Sequence, residues 1–303
     1  MTTYSTAELM QLARQAGTVI PAFNIPYLPM MEPVIASLRE MDSFGLIAVA
    51  RLEWVKFEAK SAQAISEEYQ RLKDERFTRL HLDHVPVIDE DNLRVDYEAV
   101  IEQAIRLGYQ SVMVDGSRLS LEENIGATGK IAEMAHAAGI PVEGELGAVL
   151  GHEAGPLPPY DELFESEKGF TSPEDAERFV AEAKVDWLSV AVGNVHGAIS
   201  GVMRHGKKVE ARLNLEHLER IYSAVRIPLV LHGGSGIKKD CIQGAIQRGI
   251  TKINIGTAIR QPYEAALKHS SAAAKKAVLD ATMRILSQDL ELQGSRKKVN
   301  PEA

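Results

Sequence analysis

The chain is short of cysteine and of positive charge, and each shortage excludes something. A single cysteine, Cys241, rules out an intrachain disulfide framework and fits a reducing cytoplasm. No run of about 18 apolar residues occurs, so no membrane-spanning helix is expected. The opening stretch, MTTYSTAELMQLARQAG, has no apolar core of the kind a secretory leader needs. Lys and Arg number 34 against 42 Asp and Glu, a net charge of −8, so no basic face for nucleic acid is advertised. The one local basic cluster, MRHGKKVEAR at 203–212, is short and fits a solvated loop. There is no sequence repeat and no low-complexity segment. These absences predict a cytoplasmic globular protein with neither membrane nor nucleic acid as a partner.

What the chain does have is alternation. Short β-rich runs fall at 18–25, 45–51, 79–84, 111–117, 141–147, 186–194, 227–234 and 251–257, eight in all. Helical periodicity fills the gaps. TAELMQLARQAG precedes the first run and ends on Gly17. VDYEAVIEQAIRLG sets Val95, Ala99, Ile101, Ala104, Ile105 and Leu107 largely on one side and stops at Gly108. Ser120 with Glu123 has capping-box spacing, and Thr171 or Ser172 precedes Pro173 at a helix start.

Eight strands each followed by a helix predict a (β/α)8 TIM barrel. A doubly wound open sheet is the alternative, but TVIPAFNIPYLP carries no G-x-G-x-x-G after the first strand. The length allows two ordinary domains, yet barrels of this size fold as one, so a single domain over 1–303 is expected. Residues 148–171 hold little pattern, with three glycines and three prolines, and predict a mobile lid. The stretch from about 259 to 303 is a helical extension longer than closure needs, and its tail, QGSRKKVNPEA, is expected to fray.

In such a barrel the C-terminal strand ends share one face. In order they are Asn24, Arg51, Asp83 with His84, Asp115, Glu145, Asn194 with His196, His232 and Asn254, and every end is polar. A buried polar group costs roughly 1–3 kcal/mol unless paired, so eight in one ring point to a site. His84, His196 and His232, on three strands, are the donor set of a catalytic zinc with an open position. HGGSG at 232–236 and NIGT at 254–257 each lead into a helix after the last two strands, where barrels often bind phosphate. A divalent ion beside a phosphate cradle suits a Lewis acid acting on a sugar phosphate. Retro-aldol cleavage, isomerisation and epimerisation all fit that description.

At this level of detail the chain resembles the class II, metal-dependent ketose-bisphosphate aldolases, which include fructose- and tagatose-bisphosphate aldolases. The motifs are AFNI (22–25), LDH (82–84), GYQSVMVDGSRLSLEENI (108–125), AHAAGIPVEGELG (135–147), GNVHG (193–197), LVLHGGSG (229–236) and KINIGT (252–257). The resemblance covers roughly residues 5–265. It implies Zn2+ or another divalent metal on His84, His196 and His232, with Asp115 and Glu145 as supporting or alternative ligands. It makes Asp83 the group that exchanges a proton with the C4 hydroxyl and Glu153 the acid/base for the enediolate carbon. Gly197, Gly233, Ser235, Asn254, Gly256 and Thr257 match the cradle for the phosphate of dihydroxyacetone phosphate, and Asn24 matches a substrate contact. A monovalent cation, Na+ or K+, near the carbonyls of Gly197 and Gly233 is also implied, as is a homodimer or homotetramer.

The departures are equally specific. The family usually has Gln-x-Ser after the second strand; here Val49 and Arg51 stand in those places. LDHG becomes LDHV at Val85, the acid after NIxT is Ala258, and the first acid of the lid pair is His152. The donor half is therefore expected to be intact and the acceptor half rebuilt around Arg51, for an aldehyde carrying a carboxylate, sulfonate or differently placed phosphate. An ordinary fructose- or tagatose-bisphosphate aldolase, a non-catalytic partner subunit of an aldolase and a sugar-phosphate epimerase are the rival expectations.

Overall fold

In the computed structural model, which describes residues 4–147, 160–194, 212–234 and 237–302, eight parallel strands close in chain order. They are β1 (Ile20–Asn24), β2 (Gly45–Ala50), β3 (Thr78–Pro86), β4 (Ser111–Asp115), β5 (Val142–Leu146), β6 (Trp187–Val190), β7 (Leu229–Leu231) and β8 (Ile250–Ile255). Each lies within two residues of the apolar runs in the sequence, except β6 and β7, whose runs extend further into their loops. This is the (β/α)8 barrel that the alternation predicts.

The helices form where caps and periodicity coincide. Those on the first half are α1 (Thr6–Gln15), α2 (Met31–Glu40), α3 (Arg51–Val55), α4 (Ala62–Leu72), α5 (Tyr97–Arg106) and α6 (Leu121–Ala137). The second half carries α7 (Tyr160–Ser166), α8 (Pro173–Ala183), α9 (Leu215–Val225), α10 (Lys239–Ile246), α11 (Thr257–Leu267), α12 (Ser271–Arg284) and α13 (Arg296–Val299). Ser5 and Ser120 close reciprocal capping boxes with Glu8 and Glu123. Ser172 caps α8, while Thr171 turns inward to bond the Leu146 carbonyl and the Ala191 amide. Helix α5 buries Tyr97, Ile101 and Ala104; Ala99 is exposed, because one turn offset brings Tyr97 to the core instead.

Period-two alternation divides the strand residues between two cores. Phe23, Ile47, Leu80, Leu82, Val112, Val142, Leu188, Leu231 and Ile253 face the helices. Ile20, Ala22, Leu46, Ala48, Trp187 and Val230 face inward, where Leu9, Met10 and Ala13 of α1 plug the N-terminal mouth. Above that apolar layer the interior turns polar.

One expectation needs correction. The tail is docked: Val299 packs into the core beside α1, Arg296 pairs with Asp42 at 2.7 Å, and the Asn300 amide donates to two carbonyls of the 75–76 turn. One buried valine and two well-placed polar groups are enough to hold a terminus that composition alone marks as loose. The 148–171 stretch holds helix α7, with Asp161 and Glu162 in its first turn, where acids favour a helix start; 148–159 lie outside the described residues.

Gly144 sits between two inward glutamates on β5, and its missing side chain is what lets α8 close on the strand. A Cβ there would come within 2.7 Å of Phe179 Cε1 and 2.9 Å of Val185 Cγ1. Gly144→Ala should therefore lower the unfolding free energy by about 1–3 kcal/mol in urea. Gly126→Ala, on α6 with nothing within 4 Å, should raise it by up to about 1 kcal/mol. Equal effects from the two would contradict this packing.

Candidate active site

Neighbouring residues of a strand point to opposite faces, so Asp83 and His84 cannot both enter a regular barrel. Strand β3 resolves this with a bulge. Leu82 pairs with Val112 and Val85 with Val114, so β3 carries one residue more than β4 between them. Leu82 and Val85 both face the outer core, which turns the two residues between them inward. His84 takes a φ of +20° at this point.

The result is a convergence of ligand-type atoms at the C-terminal mouth. His84 Nδ1 lies 3.1 Å from Asp115 Oδ2 and 3.5 Å from Glu145 Oε2. His232 Nδ1 lies 3.6 Å from the same Glu145 Oε2, and the two imidazole rings meet edge to face with centroids 4.4 Å apart. Asp83, His84 and His232 can each present an atom within 4.8 Å of the others, as can His84, Asp115 and Glu145. Ligands held at about 2.1 Å around a tetrahedral zinc lie about 3.4 Å from one another, so these spacings fit a cation. His196 lies outside the described residues, as do Glu153, Gly197 and Ser235.

The charges also fit. Burial alone would lower the pKa of His84, but Asp83, Asp115 and Glu145 around it prevail and hold it up to about 10. Burial, then the charge of Asp115, pushes Glu145 well above the usual carboxylate range. Its Oε2 is buried and makes no hydrogen bond among the described residues. His232 is lowered to about 4 by burial and by His84, which keeps it neutral, the form that binds metal. A crowd of carboxylates that draws positive charge, with a neutral imidazole facing it, is the chemistry of a divalent site.

Asp83 is held from two sides. Asn24 Nδ2 donates to Oδ2 at 2.8 Å, and Asn254 Nδ2 reaches Oδ1 at 2.9 Å and Oδ2 at 3.0 Å. Burial works against its charge, yet His84, His81 and Lys252 outweigh burial and keep its pKa well below normal. Asn194 is buried and structural: it bonds the His232 carbonyl at 3.0 Å and its own loop at Val192. Gly233, with a φ of +68°, and Gly256 with Thr257, at the start of α11, gather at the ends of β7 and β8.

Arg51 opens α3 at the end of β2, about one-fifth exposed, with Asp89 Oδ2 at 3.5 Å. Val49 and Val85 are fully buried, and Ala258 packs against the core.

Sequence reasoning missed four residues. Glu143 and Lys252 lie two positions before Glu145 and Asn254, and His81 two before Asp83. The same period that placed the strand ends places these on the inner face one layer down. Glu53 is the fourth, buried on α3, with Oε2 accepting the Ala50 amide at 2.8 Å. Burial and then the charge of Asp83 raise its pKa to about 8, although the Ala50 amide pulls the other way. Ala50 at the cap position gave no signal for it.

The likeness to known proteins agrees with this geometry. The Escherichia coli K12 YdjI aldolase is 27% identical, with 97% of this chain and 99% of that one covered and a TM-score of 0.74. A Coccidioides immitis protein named as a candidate fructose-1,6-bisphosphate aldolase is 25% identical over 98% and 99% of the two chains, with a TM-score of 0.76. Campylobacter jejuni fructose-bisphosphate aldolase, at 19% identity, 95% and 94% coverage and a TM-score of 0.73, shares the fold. The model of the family described as fructose-bisphosphate aldolase class-II matches residues 4–297. With nearly its whole length matched and a barrel mouth of the corresponding chemistry, this chain belongs to the class II fructose-bisphosphate aldolase family.

Proposed function

We propose that the protein is a divalent-metal-dependent aldolase that cleaves a phosphorylated ketose to dihydroxyacetone phosphate and an aldehyde with an anionic far end. The observation that carries this is the convergence of His84, His232, Asp83 and Glu145 on one point at the mouth. His84, His232 and His196 would hold the ion, zinc being the natural choice for an imidazole set, with Asp115 and Glu145 beside it. When bound, it supplies a Lewis acid for the ketose carbonyl.

The chain's own residues supply the proton steps. Asp83, ionised and clamped by Asn24 and Asn254, takes the proton from the C4 hydroxyl. As the C4 carbonyl forms, the C3–C4 bond breaks and its electron pair runs into the C2 carbonyl. Glu153 is the proposed donor of the proton that C3 then needs. Gly233, Gly256 and Thr257, with Gly197 and Ser235, offer backbone and hydroxyl donors for the phosphate on C1. Family membership and a buried carboxylate beside the ligand cluster support cleavage over epimerisation.

Arg51 supports the anionic acceptor. Among the described residues its guanidinium has one acidic neighbour, at 3.5 Å, and makes no hydrogen bond shorter than that, so most of its five donors are left to meet another acceptor. Nothing in an ordinary serine at this place would hold a second charge so firmly.

Three outcomes check the proposal. Chelation should abolish release of dihydroxyacetone phosphate in a coupled assay, and zinc should restore it; turnover indifferent to chelator ends the metal-dependent reading. Asp83→Ala should keep the bound metal and lose about 10²–10⁴-fold in kcat. If metal content falls as well, the division of roles between Asp83 and His84 is wrong. Arg51→Ser should cost about 10–100-fold in kcat/KM for an acidic acceptor, as loss of a charged hydrogen bond of about 1.5–3 kcal/mol implies. Fructose 1,6-bisphosphate turnover at 10⁴ M⁻¹s⁻¹ or above in the wild type, improved by that substitution, would overturn the rebuilt acceptor side.

A further inference from the structure

Glu143 is met by three side chains in the barrel interior, and the proposed chemistry does not use it. It is fully buried one layer below the mouth. Its Oε2 accepts from Trp187 Nε1 at 2.6 Å and from Lys252 Nζ at 2.7 Å, and its Oε1 faces His232 Nε2 at 2.9 Å. Lys252 is itself fully buried, and Asp83 Oδ1, its other acidic neighbour, is 3.8 Å away. An ionised carboxylate only accepts, so a hydrogen bond between Glu143 and His232 places the ring hydrogen on Nε2. The lone pair then sits on Nδ1, the nitrogen that faces Glu145 at the mouth.

A buried ion pair is a poor way to fill a barrel. Replacing such a pair with apolar side chains is often neutral or stabilising. The layer below is already apolar, built from Ile20, Ala22, Leu46, Ala48 and Val230. The charged pair is placed where the His232 ring needs an acceptor underneath it.

We propose that the Glu143–Lys252 pair is a positioning device for the metal centre: it fixes His232 in the Nε2–H tautomer and in the ring orientation that presents Nδ1 to the ion. Lys252 keeps Glu143 ionised and immobile, Trp187 pins its second oxygen, and His232 takes the remaining one. Glu143 acts through His232 and is not itself a ligand. The inference rests on the metal site proposed above.

The test uses the full-length chain, stripped with chelator and titrated with zinc alone. Nitrogen-15 spectra of the histidine rings, assigned against His232→Gln, are recorded before zinc is added. The wild type should show His232 as the Nε2–H tautomer; a ring protonated on Nδ1 alone overturns the proposal without any variant of Glu143. Glu143→Leu/Lys252→Met removes both charges and should fold. It should bind zinc about 10–100-fold more weakly, the usual effect of losing an outer-shell partner, with His232 distributed over both tautomers. Glu143→Gln/Lys252→Met retains a carbonyl that can accept from Nε2 and should recover most of the affinity. Zinc affinity within threefold of wild type in the folded leucine variant, with His232 unchanged, overturns the positioning role and leaves the metal site standing. A wild type that takes up no zinc overturns both.

Discussion

A carboxylate and an imidazole adjacent in sequence can serve one site only if the strand that carries them breaks its own period. The extra residue of β3 between Leu82 and Val85 does this. It keeps Leu80, Leu82 and Val85 in the outer core while Asp83 and His84 both turn to the mouth. Without the bulge, one of the pair would lie among the helices as an unpaired polar group, at a cost of roughly 1–3 kcal/mol, and would be lost from the mouth. The family's glycine after the histidine is dispensable here because Val85 resumes ordinary strand packing, fully buried against the helices. The bulge therefore couples fold and chemistry at one position.

The second constraint is charge. Asp83, Asp115, Glu143 and Glu145 all enter the upper half of one barrel, and Lys252 is the buried ammonium among them. Charges this far from water are tolerated only when paired or placed on a metal. Glu143 is compensated by Lys252, and its pKa is driven down to about 2 by Lys252, His232 and His81 against the opposing effect of burial. Asp83 is met by two asparagine amides. Glu145 has no such partner among the described residues, and its Oε2 stands between two imidazoles. The lower pair is thus a closed account in electrostatic terms, while the upper cluster is open to a cation from outside. That difference between layers separates the atoms that support the site from those that face a ligand.

Most of this architecture was legible in the sequence because two periods govern it. A period of two located all eight strands, and a period of 3.6 with caps such as Ser120 and Ser172 located about half of the helices, but not α2, α3, α4 or α7. The polar strand ends followed from the closed barrel, and Asp83, His84, Asp115, Glu145 and His232 do lie together. What was not legible came from contacts that no local pattern announces. The docking of the tail depends on Val299 finding α1, some 290 residues away in sequence. Glu143 and Lys252 carried the right period, but a charged residue in mid-strand looks outward-facing until the barrel is known to hold a polar layer. Glu53 caps a helix whose cap residue is an alanine, so the usual signature is missing. Asn24 and Asn254, expected against substrate, turn their amides to Asp83, which local sequence does not specify.

Arg51 is tied into a small network of charges at the ends of β2 and β3. A lone arginine introduced at a strand end would keep its charge in solvent. Here the loop that follows β3 is built to receive it. Asp89, itself buried, folds that loop by accepting the Asp91 and Leu93 amides through Oδ1, and it presents Oδ2 to Arg51. Lys56, just past α3, reaches Glu90 and Asp91 of the same loop at 3.3 and 3.0 Å. The ends of β2 and β3 are thereby joined by charge on both sides of the helix that begins with Arg51. Such pairs add little stability at a surface, so their effect is orientation. The buried Asp89 carboxylate restrains the Arg51 guanidinium from one side. The ion pairs of Arg51 and Lys56 therefore fix where the start of α3 lies relative to the loop after β3.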